Sequence, residues 1–375
     1  MDSNEAPKPS SGKGNFISRE LAHNKDVTAR LKTITEEFKS PESAEGLLES
    51  LRSYPEDYHL AYQNTIAWIA SAIGALALAT VILLIVNGNL EGWVAAGLCV
   101  VAVIPFIFVL TYLNKNRKRH ALLESFFNRY EEIKYGFTYG GDQENISFND
   151  NTALFSNAFR RGNYKNYFPV YASGATDYEG KSLNYTLFTY KFVNRARRTK
   201  TVKRKKVQYF EYDYYKQWGV FVSDVNVPAF SISSFTKKHY PEVWTTSDDR
   251  FNQKYYVSAS SEIEIAKLMQ PANVLMFEKV LESLPRSAGS FSRSSKGDDI
   301  HNFHPPLSST ELVGSRETPS LYWNINLNPF ERTSTDQPKL DTPAALAGYL
   351  ETIFLENFDQ IFDSIQPLFK KVIKK

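Results

Sequence analysis

Residues 183–223 read LNYTLFTYKFVNRARRTKTVKRKKVQYFEYDYYKQWGVFVS. The flanks at 183–193 and 207–215 are dense in Tyr, Phe, Thr and Val, side chains that suit a pleated, half-buried surface. Between them, residues 195–206 carry eight cations and no acid: Arg195, Arg197, Arg198, Lys200, Lys203, Arg204, Lys205 and Lys206. An apolar run, a polar stretch and a second apolar run make the pattern of a β-hairpin. The flanks are therefore assigned as paired strands, and the cationic run as their connection and frayed tip. At twelve residues this connection exceeds the usual hairpin loop of ~2–5. Mutual repulsion is expected to hold it extended in solvent.

The 375 residues sum to a net charge of +3. The basic run alone supplies eight positive charges, so the remainder is net negative by five. Such a body does not bind polyanions through global charge; an electrostatic partner is met locally. Cys99 is the single cysteine, which excludes an intrachain disulfide and a cysteine-built zinc site. The 22 Tyr and 26 Phe concentrate after residue 125 and point to a β-rich core.

Location follows from two apolar runs. Residues 65–86 (TIAWIASAIGALALATVILLIV) and 94–113 (VAAGLCVVAVIPFIFVLTYL) carry no charge, and each has the ~20 residues needed to cross a bilayer. A short polar turn holding Glu91 separates them. Together they predict a two-helix transmembrane hairpin over residues 65–113. A cleaved signal peptide is not expected, because more than sixty polar residues precede the first run. Lys115, Arg117, Lys118 and Arg119 follow the second run. By the positive-inside rule this anchor flank is cytoplasmic, and two crossings return the N-terminus to the same side. The expected location is the plasma (inner) membrane, with both termini in the cytoplasm. Neither run contains an ionisable side chain apart from Cys99 and Tyr112, so the hairpin reads as an anchor rather than an ion or proton path.

Four stretches follow from this pattern. Residues 1–15 are expected to be a disordered tail and 16–64 a cytoplasmic helical segment. The hairpin occupies 65–113, and 114–375 form a cytoplasmic α+β domain. Leu21, Val27, Leu31, Ile34 and Phe38 recur at helical spacing, and a second short helix is placed from Ser40–Pro41. In the large domain, short β runs occupy 135–257. Helices are expected from Ser261 and from Pro271, and a loop over 286–303. ELVGS and LYWNINL are read as a terminal hairpin. One last helix is placed from Asp341–Pro343, carrying Leu346, Leu350, Phe354, Phe358, Ile361 and Phe362 on one face until Pro367 interrupts it. The fold class is α+β: a transmembrane helical hairpin followed by a β-rich cytoplasmic domain with packed helices.

Catalytic patterns are missing from the sequence. It contains no phosphate-cradling glycine loop, no HExxH pair and no nucleophile elbow. His301 and His304, beside Asp298 and Asp299, have a spacing that could share a metal on a helix. Pro305 and Pro306 follow at once, so a surface loop without metal is the preferred reading. No cofactor is expected, and the chain is read as non-catalytic. The alternative is an enzyme whose site is assembled from residues scattered in sequence.

The layout resembles the bacterial domain-of-unknown-function 3137 family. The residues that carry the likeness are Asp177, Tyr178, Glu179 and Gly180, the strand LNYTLFTYKF, the stretch WGVFVSDVNVPAFSI, and RFNQKYYVSASSEIEIAKLMQPANVLMFEKV. They lie within residues 60–284. The resemblance implies two close spans near the N-terminus and a cytoplasmic α+β region. It implies no reaction. The long N-terminal region and the basic insert depart from the family pattern.

The expected work is binding: a membrane-anchored scaffold or sensor module whose basic loop faces an anionic partner. Anionic lipid head groups of the inner leaflet are favoured, at ~1 kcal/mol for each cation near such a surface. Nucleic acid is the less favoured partner, because the neighbouring aromatics fall on both faces of their strands and read as buried. An acidic protein partner and a solvated loop with no partner remain open at this stage.

Overall fold

The computed structural model describes residues 15–39, 42–87, 92–140, 162–178, 180–223, 225, 227–234, 240–282, 292–296, 299–303, 311–315, 320–325, 327–333 and 339–372. Side chains are not described for most of 92–104 and 365–372, nor for 292–315. Residues 1–14 of the expected tail, the part of the expected β region at 144–159, and His304 lie outside these residues.

The fold is α+β, in two compact units. One holds residues up to Lys134 together with Ser334–Ile353; the other holds Tyr135–Thr333 and Phe354 onward.

The first unit is helical. Helix α1 (Phe16–Glu37) is capped by Asn15, whose Oδ1 accepts from Ser18 N–H at 2.9 Å. Helix α2 (Ala44–Arg52) starts at Ser43, which accepts from Gly46 N–H. The expected start at Ser40–Pro41 is thus early by three residues, because the hydroxyl that captures a free N–H is that of Ser43. Helix α3 spans Thr65–Val86, and helix α4 runs unbroken from Gly92 to Tyr135. Helix α8 (Pro343–Thr352) closes the unit, capped by Thr342. Val27, Leu31 and Ile34 of α1, Leu47 and Leu51 of α2, Phe126 of α4, and Leu346 and Leu350 of α8 form one buried core. Arg119 is buried among these elements. Its Nε donates to Leu60 O at 2.7 Å and its guanidinium to Leu340 O at 2.5 Å. Burial draws its pKa down, and Asp341 opposes the shift.

Among the described residues, α3 is the one helix long and apolar enough to cross a membrane. Only 6% of its apolar window is buried, which separates it from a core helix of similar composition. Trp68, Leu76, Leu83 and Val86 are among its exposed side chains. The apolar run at 94–113 forms the first half of α4, where Phe106, Ile107 and Leu113 are exposed.

The described part of the second unit is an eleven-stranded sheet with helices packed against it. The strands are β1 (Phe137–Gly140), β2 (Lys165–Tyr178), β3 (Lys181–Val202), β4 (Lys205–Ser223), β5 (Phe230–Ser233), β6 (Glu242–Trp244), β7 (Tyr256–Ala259), β8 (Ser292–Lys296), β9 (Asp299–Phe303), β10 (Glu311–Ser315) and β11 (Ser320–Ile325). Their order is β1-β2-β3-β4-β11-β10-β5-β7-β6. Strand β4 has two partners on its far side: β11 antiparallel along 218–223, and β9 parallel along 211–214. Among the described residues, helices α5 (Asp249–Lys254), α6 (Glu262–Leu268), α7 (Pro271–Glu282) and α9 (Glu356–Val372) also belong to the unit. Leu187, Trp218 and Val220 of the sheet bury against Ile265, Phe277, Phe358 and Ile361.

Three expectations are corrected here. The stretch at 286–303 includes a strand pair, β8–β9, because backbone pairing to β4 draws in a polar Ser/Arg-rich segment. The expected ELVGS–LYWNINL hairpin forms as the antiparallel pair β10–β11, but it lies inside the sheet, between β5 and β4, rather than at its end. The last helix is two helices, broken at Ile353–Leu355, where Phe354 pairs with Thr333. Leu346 and Leu350 bury in one unit, Phe358 and Ile361 in the other, so one apolar face serves two cores. Pro367 lies inside α9 without ending it.

Candidate anion-binding ribbon

Strands β3 and β4 pair without a slip from Tyr185↔Val222 to Val202↔Lys205. The connection is therefore two residues, Lys203 and Arg204, both left-handed with φ of +46° and +65°. Two successive residues at positive φ give the turn whose twist matches a tight hairpin. This corrects the twelve-residue loop: Arg195 to Val202 belong to β3, and Lys205 and Lys206 open β4. Strand alternation explains the outcome. Successive side chains point to opposite faces, so repulsion between sequence neighbours is relieved by pairing the backbone, and Thr199, Thr201 and Val202 favour the extended form.

Among the described residues, the outer part of this hairpin has no further strand partner. Strand β2 accompanies β3 as far as Val193, and β9 accompanies β4 at 211–214. Beyond both, β3 continues for the six residues 197–202, paired with 205–210 of β4, a two-stranded ribbon ~20 Å long at ~3.3 Å per residue.

The register sorts its side chains. One face carries Arg195, Arg197, Thr199 and Thr201 of β3 with Lys206, Gln208, Phe210 and Tyr212 of β4. The Arg195 guanidinium lies over Tyr164 at 4.6 Å and over Phe210 at 4.8 Å, and Tyr164 meets Tyr212 edge-on at 5.3 Å. Arg197 donates to Gln208 Oε1. The other face carries the ribbon's acid: Arg198 Nε donates to Glu211 Oε2 at 2.9 Å, and Lys200 lies 5.2 Å over Tyr209. At the turn Lys203, Arg204, Lys205 and Lys206 are all exposed, and among the described residues no carboxylate pairs with them.

The first face stays basic toward the root. Lys191 and Lys216 stand directly opposite each other there, an arrangement that repels. Burial, then Lys191, draws the Lys216 pKa down, while Glu331 opposes the shift. The Lys216 ammonium lies 4.6 Å over Trp218. From root to tip this face reads Lys216, Arg195, Arg197 and Lys206, with Tyr212 and Phe210 interleaved.

The eight cations of the run are thus brought together on one ribbon. The alternating sequence held a signal for the Arg195 sandwich, but Tyr164 lies 31 positions away and only strand pairing brings it near. Of the anchor flank on α4, Lys115 lies 6.0 Å over the Tyr62 ring, Arg117 and Lys118 are exposed, and Arg119 is buried. His301 lies in β9 opposite Tyr212, so its segment is strand, not loop or helix. Among the described residues no group of three or more His, Cys, Asp or Glu could hold a metal. A surface cavity of about 360 Å³ is bordered by Asp248 and Pro271, and the Asp248 carboxylate is engaged in capping α5.

Comparison with protein-family models, with curated proteins and with solved structures returned no match to this chain.

Proposed function

We propose that this chain is a membrane-anchored, non-catalytic binding module of the bacterial inner membrane, with the β3–β4 ribbon as its contact for anionic lipid head groups. The proposal draws on the resemblance of the sequence to the domain-of-unknown-function 3137 family. In this reading α3 and the apolar first half of α4 are the two crossings, and both termini face the cytoplasm. Exposed apolar side chains along both segments support it, since contiguous exposed apolar surface is costly in water.

The observation that carries the lipid reading is the ribbon tip: four exposed cations at residues 203–206 on a two-stranded arm with no further strand partner among the described residues. Each cation near an anionic surface contributes ~1 kcal/mol. Rigid pairing removes much of the ordering cost that a loop would bring. The interleaved Phe210 and Tyr164 suit the water–lipid boundary, where amphipathic rings settle.

The test uses the full-length chain in nanodiscs of neutral lipid, mixed with vesicles containing phosphatidylglycerol and separated by flotation. The native chain is expected to float with the vesicles, and to be released by salt. A variant with Lys203, Arg204, Lys205 and Lys206 changed to Gln is expected to bind at least about tenfold more weakly, the loss of ~1.4 kcal/mol or more. Equal binding by the variant removes the lipid reading.

One observation favours a second reading. Phe210 is 38% exposed and sandwiches Arg195 with Tyr164, an arrangement on which single-stranded bases stack. Displacement of the vesicles by single-stranded RNA at unchanged salt promotes that reading.

A further inference from the structure

Helix α1 is bound along its length by the segment that leads into α3. Arg30 donates to Asp57 O at 3.1 Å. Asn24 donates to Gln63 O at 2.9 Å and accepts from Gln63 N–H at 2.8 Å. Glu20, only 2% exposed, accepts from Ile66 N–H with both carboxylate oxygens, at 3.0 and 3.2 Å. Ile66 is in the first turn of α3, and Asn64 at its N-cap makes no side-chain capping bond. Glu20 therefore caps α3 from another helix, where a carboxylate also meets the positive end of the helix dipole.

These bonds fix a direction. As α1 is followed from residue 30 to 20, its partner advances from 57 to 66. The two run antiparallel, so the N-terminal turn of α1 lies beyond Glu20, on the side where α3 begins.

That turn continues the apolar stripe. Val27, Leu31 and Ile34 recur at spacings of four and three and are buried, with Glu20 and Asn24 in the same row. The next positions in the row are Ile17 and Phe16. They are 53% and 50% exposed, and Leu21, one turn from Ile17, is 51% exposed. The stripe thus runs one turn past the point where the protein covers it. It emerges beside the start of α3, where Trp68 is 70% exposed.

We infer that the first turns of α1 form an interfacial foot: Phe16, Ile17 and Leu21 enter the head-group boundary of the bilayer that α3 crosses, with Glu20 and Asn24 holding the foot at that depth. The occupant is lipid because the exposed stripe emerges on the side where α3 begins, and the apolar side chains of α3 are themselves exposed. A short apolar helical face at such a boundary buries its side chains ~5–10 Å into it. The foot rests on the membrane reading of α3 and is independent of the ribbon.

The experiment uses the full-length chain with Cys99→Ser in vesicles of phosphatidylcholine, which lack the charge the ribbon needs. A single cysteine at Ile17→Cys or Leu21→Cys carries an environment-sensitive fluorophore. Lys32→Cys, exposed ~22 Å further along α1 at ~1.5 Å per residue, is the control. Emission at 17 and 21 is expected to shift to the blue and to be quenched several-fold more by nitroxide lipid than at 32. Quenching by aqueous iodide at all three positions overturns the foot. Protection of 17 and 21 from both quenchers overturns it as well, because protein then covers the stripe. Alkaline carbonate separates the two levels. Release of the chain from vesicles overturns the anchor and the foot together, whereas retention with aqueous probes overturns the foot alone.

Discussion

Lys203 and Arg204 are the two non-glycine residues at positive φ among the described residues. A non-glycine residue at left-handed φ costs about 1 kcal/mol, and here two stand side by side, at +46° and +65°. The residue pairs that adopt this turn readily are Asn-Gly and Asp-Gly, so the sequence carried no local signal for it, and its eight cations argued for a loop. What held the register was the strand pairing on either side, which a linear reading cannot weigh. Replacing Arg204 by Gly relieves one strained position and leaves Lys203, Lys205 and Lys206 in place. Backbone amides at 200–208 are expected to exchange with solvent about two- to fivefold more slowly, equivalent to about 0.5–1 kcal/mol. Unchanged or faster exchange would mean that the turn is not strained as described. The same limit hid the capping of α3 by Glu20: an acid 46 positions before the helix it caps is indistinguishable in sequence from a solvated surface charge.

Individual elements were more legible where one periodicity ruled a whole stretch. The apolar composition of α3, the cap at Ser261 and the start of α7 at Pro271 all follow from local chemistry. Reading failed where pairing partners supplied the order. Strand β4 looked like two short runs around Lys216, and β8–β9 looked like a Ser/Gly-rich loop. The ribbon offers a direct test of element-level independence. Ala196 faces Glu211 across it, so deleting 197–210 and inserting Asn-Gly leaves a two-residue hairpin in the original register. Few buried side chains are lost, since residues 201–206 are all exposed and the buried core of this unit lies in 218–222 of β4. The shortened chain is expected to melt within a few degrees of the native one and to lose vesicle flotation. Collapse of the sheet would show that the ribbon is a structural brace, and retained flotation would place the lipid contact elsewhere.

At the scale of the whole molecule, the chain passes between its two units three times: after Lys134, after Thr333 and after Ile353. The last twenty residues of the first unit are therefore supplied from beyond the sheet. Leu346, Ala347 and Leu350 of α8 are 0% exposed in the helical core, while Leu355 and Ile361, a few residues on, are 0% exposed in the sheet core. An apolar run with one apparent face thus serves two cores, which is why a single helix was the natural expectation for it. The arrangement also separates the consequences of damage. Leu346→Ala removes a fully buried side chain from the helical core and is expected to cost about 2–5 kcal/mol there. Hydrogen exchange should then rise in α1, α2 and the part of α4 after residue 114, while amides of β3 and β4 between 185 and 193 and between 214 and 222 keep their protection. Phe277→Ala, in the sheet core, should give the opposite pattern. If both substitutions raise exchange equally in both regions, the two units unfold as one, and the threefold passage of the chain has fused their stabilities.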